Sequence, residues 1–290
     1  MEKRPKTASI ESFSLAERVD RAYATALGQH ESYASISEEE LKGFIKEILL
    51  EIDSLETVAE RDRVPSRSLP PEFARDIGAV WTFSGPGTYD HPVKNDRYKN
   101  YPWAAGMDRA RLNYTDQIAR FIAESNTGVS LKGPLSSLAE RKEKTKEAIR
   151  AAGPTIIYNG TKVENDTVKD VLTREGIIIP AERVSTIREG IDTTVDQIKG
   201  FVLPEHALEV EKMLALVSHA PHLSRIVRIL NRYKPLPEGT KVILLPLPTP
   251  AEGKEEYARM ETVGILYYMY LSKTHDATRD SYPYTVHSAS

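Results

Sequence analysis

From Ser12 to Leu27 the apolar residues Leu15, Val19, Ala22, Tyr23 and Ala26 recur at helical spacing and predict an amphipathic helix that ends near Gly28. A stronger helix follows. Ser37 and Glu40 have capping-box form, and Leu41, Phe44, Ile45, Ile48, Leu49, Ile52 and Leu55 mark one apolar stripe. Such stripes cover one face or edge of a larger domain; a partner-binding coiled coil is the sharper alternative, but the stripe is too short to favour it. Residues 64–75, VPSRSLPPEFAR, hold three prolines and read as a connector. They divide an N-terminal helical extension (1–75) from a domain over 76–290.

Past the connector the pattern becomes one of strands alternating with helices. Ile77 to Phe83 is a strand candidate running into Ser84-Gly85-Pro86-Gly87, and Gly106 to Glu124 a helix whose apolar side is Ala110, Tyr114, Ile118, Phe121 and Ile122. Thr155 to Tyr158 predicts a strand entering Asn159-Gly160, and Glu164 to Glu175 a helix closed by Gly176. A weaker strand over Arg183 to Arg188 precedes a helix from Thr193 to Leu203. The run Met213-Leu214-Ala215-Leu216-Val217 suits a buried strand, with a helix over 222–233 after it. Lys241 to Leu245 is a further strand, and Glu255 to Leu271 a final helix. This alternation means α/β: a Rossmann-like, mostly parallel sheet with helices on both faces, whose strand order the sequence leaves open. The charged stretch within 127–151 reads as a helical insert with a solvated face, its acids nearly balancing its bases.

Composition narrows the function classes. The chain has 290 residues, 40% hydrophobic and 28% charged, enough for a sizeable core. A formal net charge of −3 argues against a nucleic-acid surface built on bulk charge. No cysteine is present, so disulfides, thiolate metal sites and cysteine nucleophiles are excluded. No run approaches the ~18 apolar residues of a membrane span, and the basic start lacks the apolar stretch of a secretory signal. The expectation is a cytoplasmic protein with a small-molecule substrate.

Parallel strands gather their carboxyl ends on one rim, where open α/β sheets bind ligands. Four polar corners fall there. The first is Ser84-Gly85-Pro86-Gly87-Thr88, whose glycines let backbone N–H groups approach a ligand; it matches neither the dinucleotide fingerprint nor the Walker loop, and a plain turn explains it as well. In the second, Asn159 to Asp166, Thr161 and Glu164 form a capping box, or Glu164 accepts a ligand hydroxyl or amine. The third, Arg188 to Gln197, offers Asp192 or Thr193 as a helix cap, or a hydroxyl and carboxylates for a polar ligand.

The fourth corner, VSHAPHLSR over Val217 to Arg225, is the most informative. Pro221 suits a helix start, so Ser218, His219 and His222 stand between strand end and helix. The two histidines, three apart, lack a fixed third metal ligand, and Ser218 lacks the hydrolase nucleophile elbow. Histidine as general acid/base or ligand partner fits better, against the plainer reading of His219 as a backbone-satisfied residue. Arg225 is placed to pair with a third-corner carboxylate or an anionic ligand. The loop Tyr89 to Met107 holds His91, Arg97, Tyr98, Tyr101 and Trp103, candidates for a lid, although packing onto the domain is the better account of Trp103.

These corners, in this order, resemble the YdcF/SanA/ElyC group, the DUF218 domain, over about residues 77 to 250. The resemblance rests on Phe83-Ser84-Gly85, on a basic residue opening the next helix (Arg109 or Arg111), on Gly160 and Glu164, on Gly176-Ile177, and on Val217, Ser218, His222 and Arg225. The family's T-x-E-N element departs here to Thr194-Val195-Asp196-Gln197, which keeps the hydrogen-bonding type and changes its reach. No stretch corresponds to the membrane anchor of the SanA and ElyC branches, so the chain is most similar to the soluble YdcF branch.

What the resemblance implies is a Rossmann-like domain binding S-adenosylmethionine or a related nucleoside, with group transfer to a small molecule. His222, Glu164 and His219 are then the catalytic candidates. Ser84, Gly85, Gly87, Arg109, Asn159, Gly160, Glu164, Thr194, Asp196, Ser218, His222 and Arg225 are the cofactor-binding candidates, and no metal is expected. Two other readings stay open: a phosphate-ester or phosphosugar hydrolase linked to envelope metabolism, using His222 with Arg225, and a non-catalytic module with the amino-terminal helices as its partner surface. Oligomeric state is not legible.

Overall fold

The computed structural model describes residues 13–62, 69–84, 101–128, 130–131, 138–160, 165, 168, 178–186, 191–201 and 213–286. Gly85, Gly87, Glu164, Gly176-Ile177 and the loop residues His91, Arg97 and Tyr98 lie outside them, as does most of the helix expected over 164–175.

Two helices open the described chain, α1 (Leu15–Gln29) and α2 (Glu38–Arg61). Ser14 and Glu17 cap α1 reciprocally, two residues inside the expected start, and Ser37 caps α2 by accepting from the Glu40 N–H. After α3 (Pro71–Asp76) come β1 (Ile77–Phe83), α4 (Met107–Thr127), α5 (Leu138–Ala152) and β2 (Thr155–Asn159). Then follow β3 (Val184–Ser185), α6 (Thr194–Lys199), β4 (Met213–His219), α7 (Ala220–Tyr233), β5 (Lys241–Leu247), α8 (Lys254–Leu266) and β6 (Thr285–Val286). The charged insert thus becomes α5, packed on α4 through the buried Ile149.

All pairings are parallel, and the sheet order is β3-β2-β1-β4-β5-β6. This is a Rossmann-like parallel α/β fold with helices on both faces. The expected strand over 183–188 is only Val184–Ser185 among the described residues, and the helix expected to reach Leu203 stops at Gly200. The short β6 was not foreseen, because two residues against Ile243 and Leu244 carry no period of their own. The last helix leaves α geometry at Leu266 and finishes as a π-turn over Tyr267–Leu271.

Strand alternation sorts the core into two layers. Val80, Ala215, Val217, Ile243 and Leu245 face α4 and α5, with Leu112, Ile118, Ile122 and Ile149 against them. Ala79, Trp81, Phe83, Leu214, Leu216 and Leu244 face α6 and α7, with Ile198, Leu223, Ile226 and Val227 against them. Trp81 stacks between Phe83 and Phe201, ring centroids 4.5 and 4.1 Å away.

The amino-terminal helices share a third apolar cluster with α8, where Phe44, Ile45 and Ile48 meet Ala258, Val263 and Ile265. Polar bonds fasten the same seam. Glu51 accepts from Ser224 Oγ (2.5 Å), Ser281 Oγ (2.8 Å) and Tyr284 Oη (2.9 Å), and pairs with Arg228. The buried Glu56 accepts from the N–H and hydroxyl of Thr249 at the end of β5. Among the described residues, no helix is long and apolar enough to cross a membrane.

Glu51 is the clearest stability test. Its pKa is lowered: burial opposes ionisation, but Arg228, Ser224 and Ser281 together outweigh it. A lowered carboxyl pKa contributes stability that is full above the unfolded value of 4.5 and lost as pH falls through the folded value. Glu51→Gln is expected to cost about 3 kcal/mol in urea unfolding at pH 7, with the gap to wild type shrinking below pH 4.5. A gap independent of pH would assign the loss to packing instead.

Candidate functional site

Strand order reverses between β1 and β4, so the chain leaves these neighbours in opposite directions, and open α/β sheets bind ligands at the carboxyl ends of such a pair. The site is built there. In β4, Ser218 follows Leu216 to the α7 side of the sheet, while His219 follows Val217 to the α4 side. His222, two residues into α7, joins Ser218. Alternation therefore parts the two histidines across the end of the sheet.

On the α4 side, Arg111 is fully buried. Its Nε donates to His219 Nδ1 (3.0 Å), Nη1 to the carbonyls of Phe83 (3.1 Å) and Ser84 (2.5 Å), and Nη2 to Tyr257 Oη (3.3 Å). Among the described residues no carboxylate pairs with it. Because Nδ1 accepts, the proton of the neutral His219 sits on Nε2, which has no partner among the described residues. Burial, and then the Arg111 charge, hold the His219 pKa well below its ordinary 6.5.

On the α7 side, His222 is bonded at both ring nitrogens: Nδ1 to Ser218 Oγ (3.0 Å) and Nε2 to Thr194 Oγ1 (3.1 Å). Arg225 Nη2 donates to Thr194 Oγ1 (3.3 Å) while its Nε lies 3.0 Å from the buried Glu261. The assignment that uses each donor once runs Arg225 to Thr194 to His222 to Ser218. Burial first, then Arg225, Arg111 and His219, lower the His222 pKa well below 6.5. The edge of this ring meets Phe83 at 6.1 Å.

The first and third corners also touch. Gln197 Nε2 donates to Ser84 Oγ (2.8 Å), and its buried Oε1 has no partner among the described residues. Asn159 ends β2 in register with Phe83, and the Gly160 N–H donates to Asn165 Oδ1 (2.8 Å). Ser84, Asn159, Gly160, Thr194, Ser218, His219, His222 and Arg225 thus lie along one rim, and contacts across corners join Ser84 to Gln197 and Thr194 to His222 and Arg225.

Three expectations change. Asp196 accepts from the Thr193 N–H (3.0 Å) and hydroxyl (2.7 Å) in a capping box, so the plainer helix-cap reading of this corner describes its geometry. Arg225 pairs with Glu261 of α8, a partner the sequence reading did not name. Of the two arginines opening α4, Arg109 is exposed and Arg111 turns inward. Residues two apart on a helix point to nearly opposite sides, so only one could reach the sheet. Met107, Tyr114 and Ile118, spaced four before and three and seven after Arg111, marked which one in the sequence. Gln197, Tyr257 and Glu261 carried no such mark, since their partners are distant in the chain.

A cavity of about 700 Å³ adjoins His219 on the α4 side. Its wall continues through Ala105–Met107 and Ala110 at the start of α4, Leu247–Ala251 after β5, Lys254 and Glu255 opening α8, and Glu60 near the end of α2. Trp103 closes this corner. It packs against Tyr257 (5.5 Å) and so closely on Gly253 that a Cβ there would lie 2.3 Å from the indole. Among the described residues no group of three or more His, Asp or Glu could hold a metal ion. No family model, curated protein or solved structure matches the chain.

Both histidines are neutral in the folded state, whereas free imidazole takes up a proton near 6.5. Stability is therefore full above that value and falls as pH drops below it, by up to about 1.4 kcal/mol per pH unit for each ring until its own folded pKa is reached. Nitrogen NMR should show His219 as the Nε2–H tautomer without protonation between pH 8 and about 5.5. A ring titrating near 6.5 contradicts this burial.

Proposed function

We propose that the protein is an enzyme binding a nucleoside-type small molecule at the carboxyl ends of β1 and β4, with S-adenosylmethionine as the ligand and group transfer to a small molecule as the reaction. The observation that carries this reading is the Ser84–Gln197 contact at the reversal of strand order, where Gln197 keeps a buried acceptor in reserve. An unpaired buried carbonyl costs about 1–3 kcal/mol, and an amino or hydroxyl donor of a nucleoside satisfies it. An acceptor at this position therefore fits such a ligand.

S-adenosylmethionine supplies an electrophilic methyl group when bound. In this reading Gln197 Oε1 accepts from the nucleoside, Ser84 holds the Gln197 amide in place, and Arg111 fixes the last carbonyls of β1 beside it. His219 presents Nε2–H to the acceptor substrate from the cavity side. His222 acts as a positioning residue, since its bonds to Thr194 and Ser218 tie α6 to β4. Asn159 and Gly160 extend the rim on the β2 side.

The hydrolase reading, which uses His222 with Arg225, has less support, because Thr194 and Ser218 hold both ring nitrogens of His222 and Arg225 is held by Glu261 and Thr194. The assembly-module reading is weakened likewise. The apolar stripes of α1 and α2 are spent on α8 and on each other.

Calorimetric titration is the test. Wild-type protein is expected to bind S-adenosylmethionine, and Gln197→Leu to weaken it about tenfold while leaving the circular dichroism unchanged. Absence of heat from wild type at millimolar ligand would remove the reading.

A further inference from the structure

We propose that the cavity beside His219 seats a phosphoryl group carried by the acceptor substrate. Two helices open on this cavity: Gly106 and Met107 are the N-cap and first residue of α4, and Lys254 and Glu255 the first two residues of α8. Neither start is capped by a side chain, and these helices have 21 and 13 residues. At α4 the first N–H groups and the positive dipole end favour an anion; at α8 the Lys254 N–H already donates to the Ala251 carbonyl, so that helix adds its dipole end alone.

The independent pointer is the Arg111–His219 pair. His219 is 2% exposed, lines the cavity, and keeps its Nε2–H unpaired among the described residues. Behind it stands a fully buried guanidinium whose partners are an imidazole, two carbonyls and a phenol, all neutral. Three other arginines buried or half-buried among the described residues are treated differently: Arg18 has Asp53 and Glu255, Arg225 has Glu261, and Arg228 has Glu51. Arg111 has no such anion among the described residues, and an oxyanion on His219 Nε2 supplies one.

The acids nearby do not fill this role. Glu60 pairs with Lys254 (2.7 Å), and Glu255 with Arg18 (2.8 Å). Asp108 in the first turn of α4 accepts from Tyr158 Oη (2.9 Å), and Glu56 accepts from Thr249. The α4 start and His219 both line this cavity with N–H donors, and a phosphoryl group, with more oxygens and more charge than a carboxylate, answers both. The seat is distinct from the Gln197 acceptor on the other side of the sheet end, so titrations of phosphate and of S-adenosylmethionine fail or succeed separately.

The probe is inorganic phosphate, titrated into the full chain by calorimetry and phosphorus NMR at constant ionic strength, with acetate in parallel. Phosphate is expected to bind and acetate to bind at least about tenfold more weakly. Ala105→Glu places a carboxylate on the exposed wall at the start of α4 and is expected to weaken phosphate about tenfold or more, whereas Ala105→Gln retains it. His219→Phe should abolish binding; since it also strips Arg111 of an acceptor, the Ala105 pair decides if that variant does not fold. No binding to wild type, equal binding of acetate, or binding undisturbed by Ala105→Glu each overturns the proposal, the last marking an adventitious ion only.

Discussion

Parallel pairing of β1 with β4 is the constraint on which the rest of the molecule depends. It runs from Ile77 with Met213 to Thr82 with Val217, and it sets the ends of the two strands side by side. The chain then departs toward β2 from one and toward β5 from the other. Arg111 reaches in from α4 and binds both ends, Phe83 and Ser84 on one and His219 on the other. A single guanidinium has the five donors in a fixed fork that such bridging needs; a lysine in its place has fewer.

The charge pattern follows from the same arrangement. Helix α7 carries Arg225 and Arg228 on the side away from the sheet, and α8 and α2 each bring it one carboxylate. Those pairs lock three helices together, and the desolvated charges there are compensated. At the rim the balance differs: both imidazoles are kept neutral by burial and by nearby guanidinium groups.

The amino-terminal helices complete this setting from outside the sheet. Their apolar residues close the surface of α8, and the end of α2 reaches the rim with Glu56 on Thr249 and Glu60 on Lys254. They thereby form one wall of the cavity. Their stripe announced burial, but a stripe has no address, and only tertiary packing shows that it faces α8.

By itself the sequence determined the elements and the rim. Apolar runs such as Ile77–Phe83 and Met213–Val217, helix stripes, and the caps at Ser37 and Thr193 are local signals, because each depends on residues a few positions apart. Alternation of strand and helix then required a parallel sheet, which put Ser84, Asn159 and Ser218 on a common edge. The tertiary structure decided which of those polar residues meet. Strand order placed β1 beside β4, helix phase chose Arg111 over Arg109, and the pleat separated His219 from His222. Asp196 was claimed by its own helix cap and Arg225 by Glu261. These outcomes turn on partners distant in the chain, 108 residues apart for Arg111 and His219, and no periodicity encodes a distance of that kind.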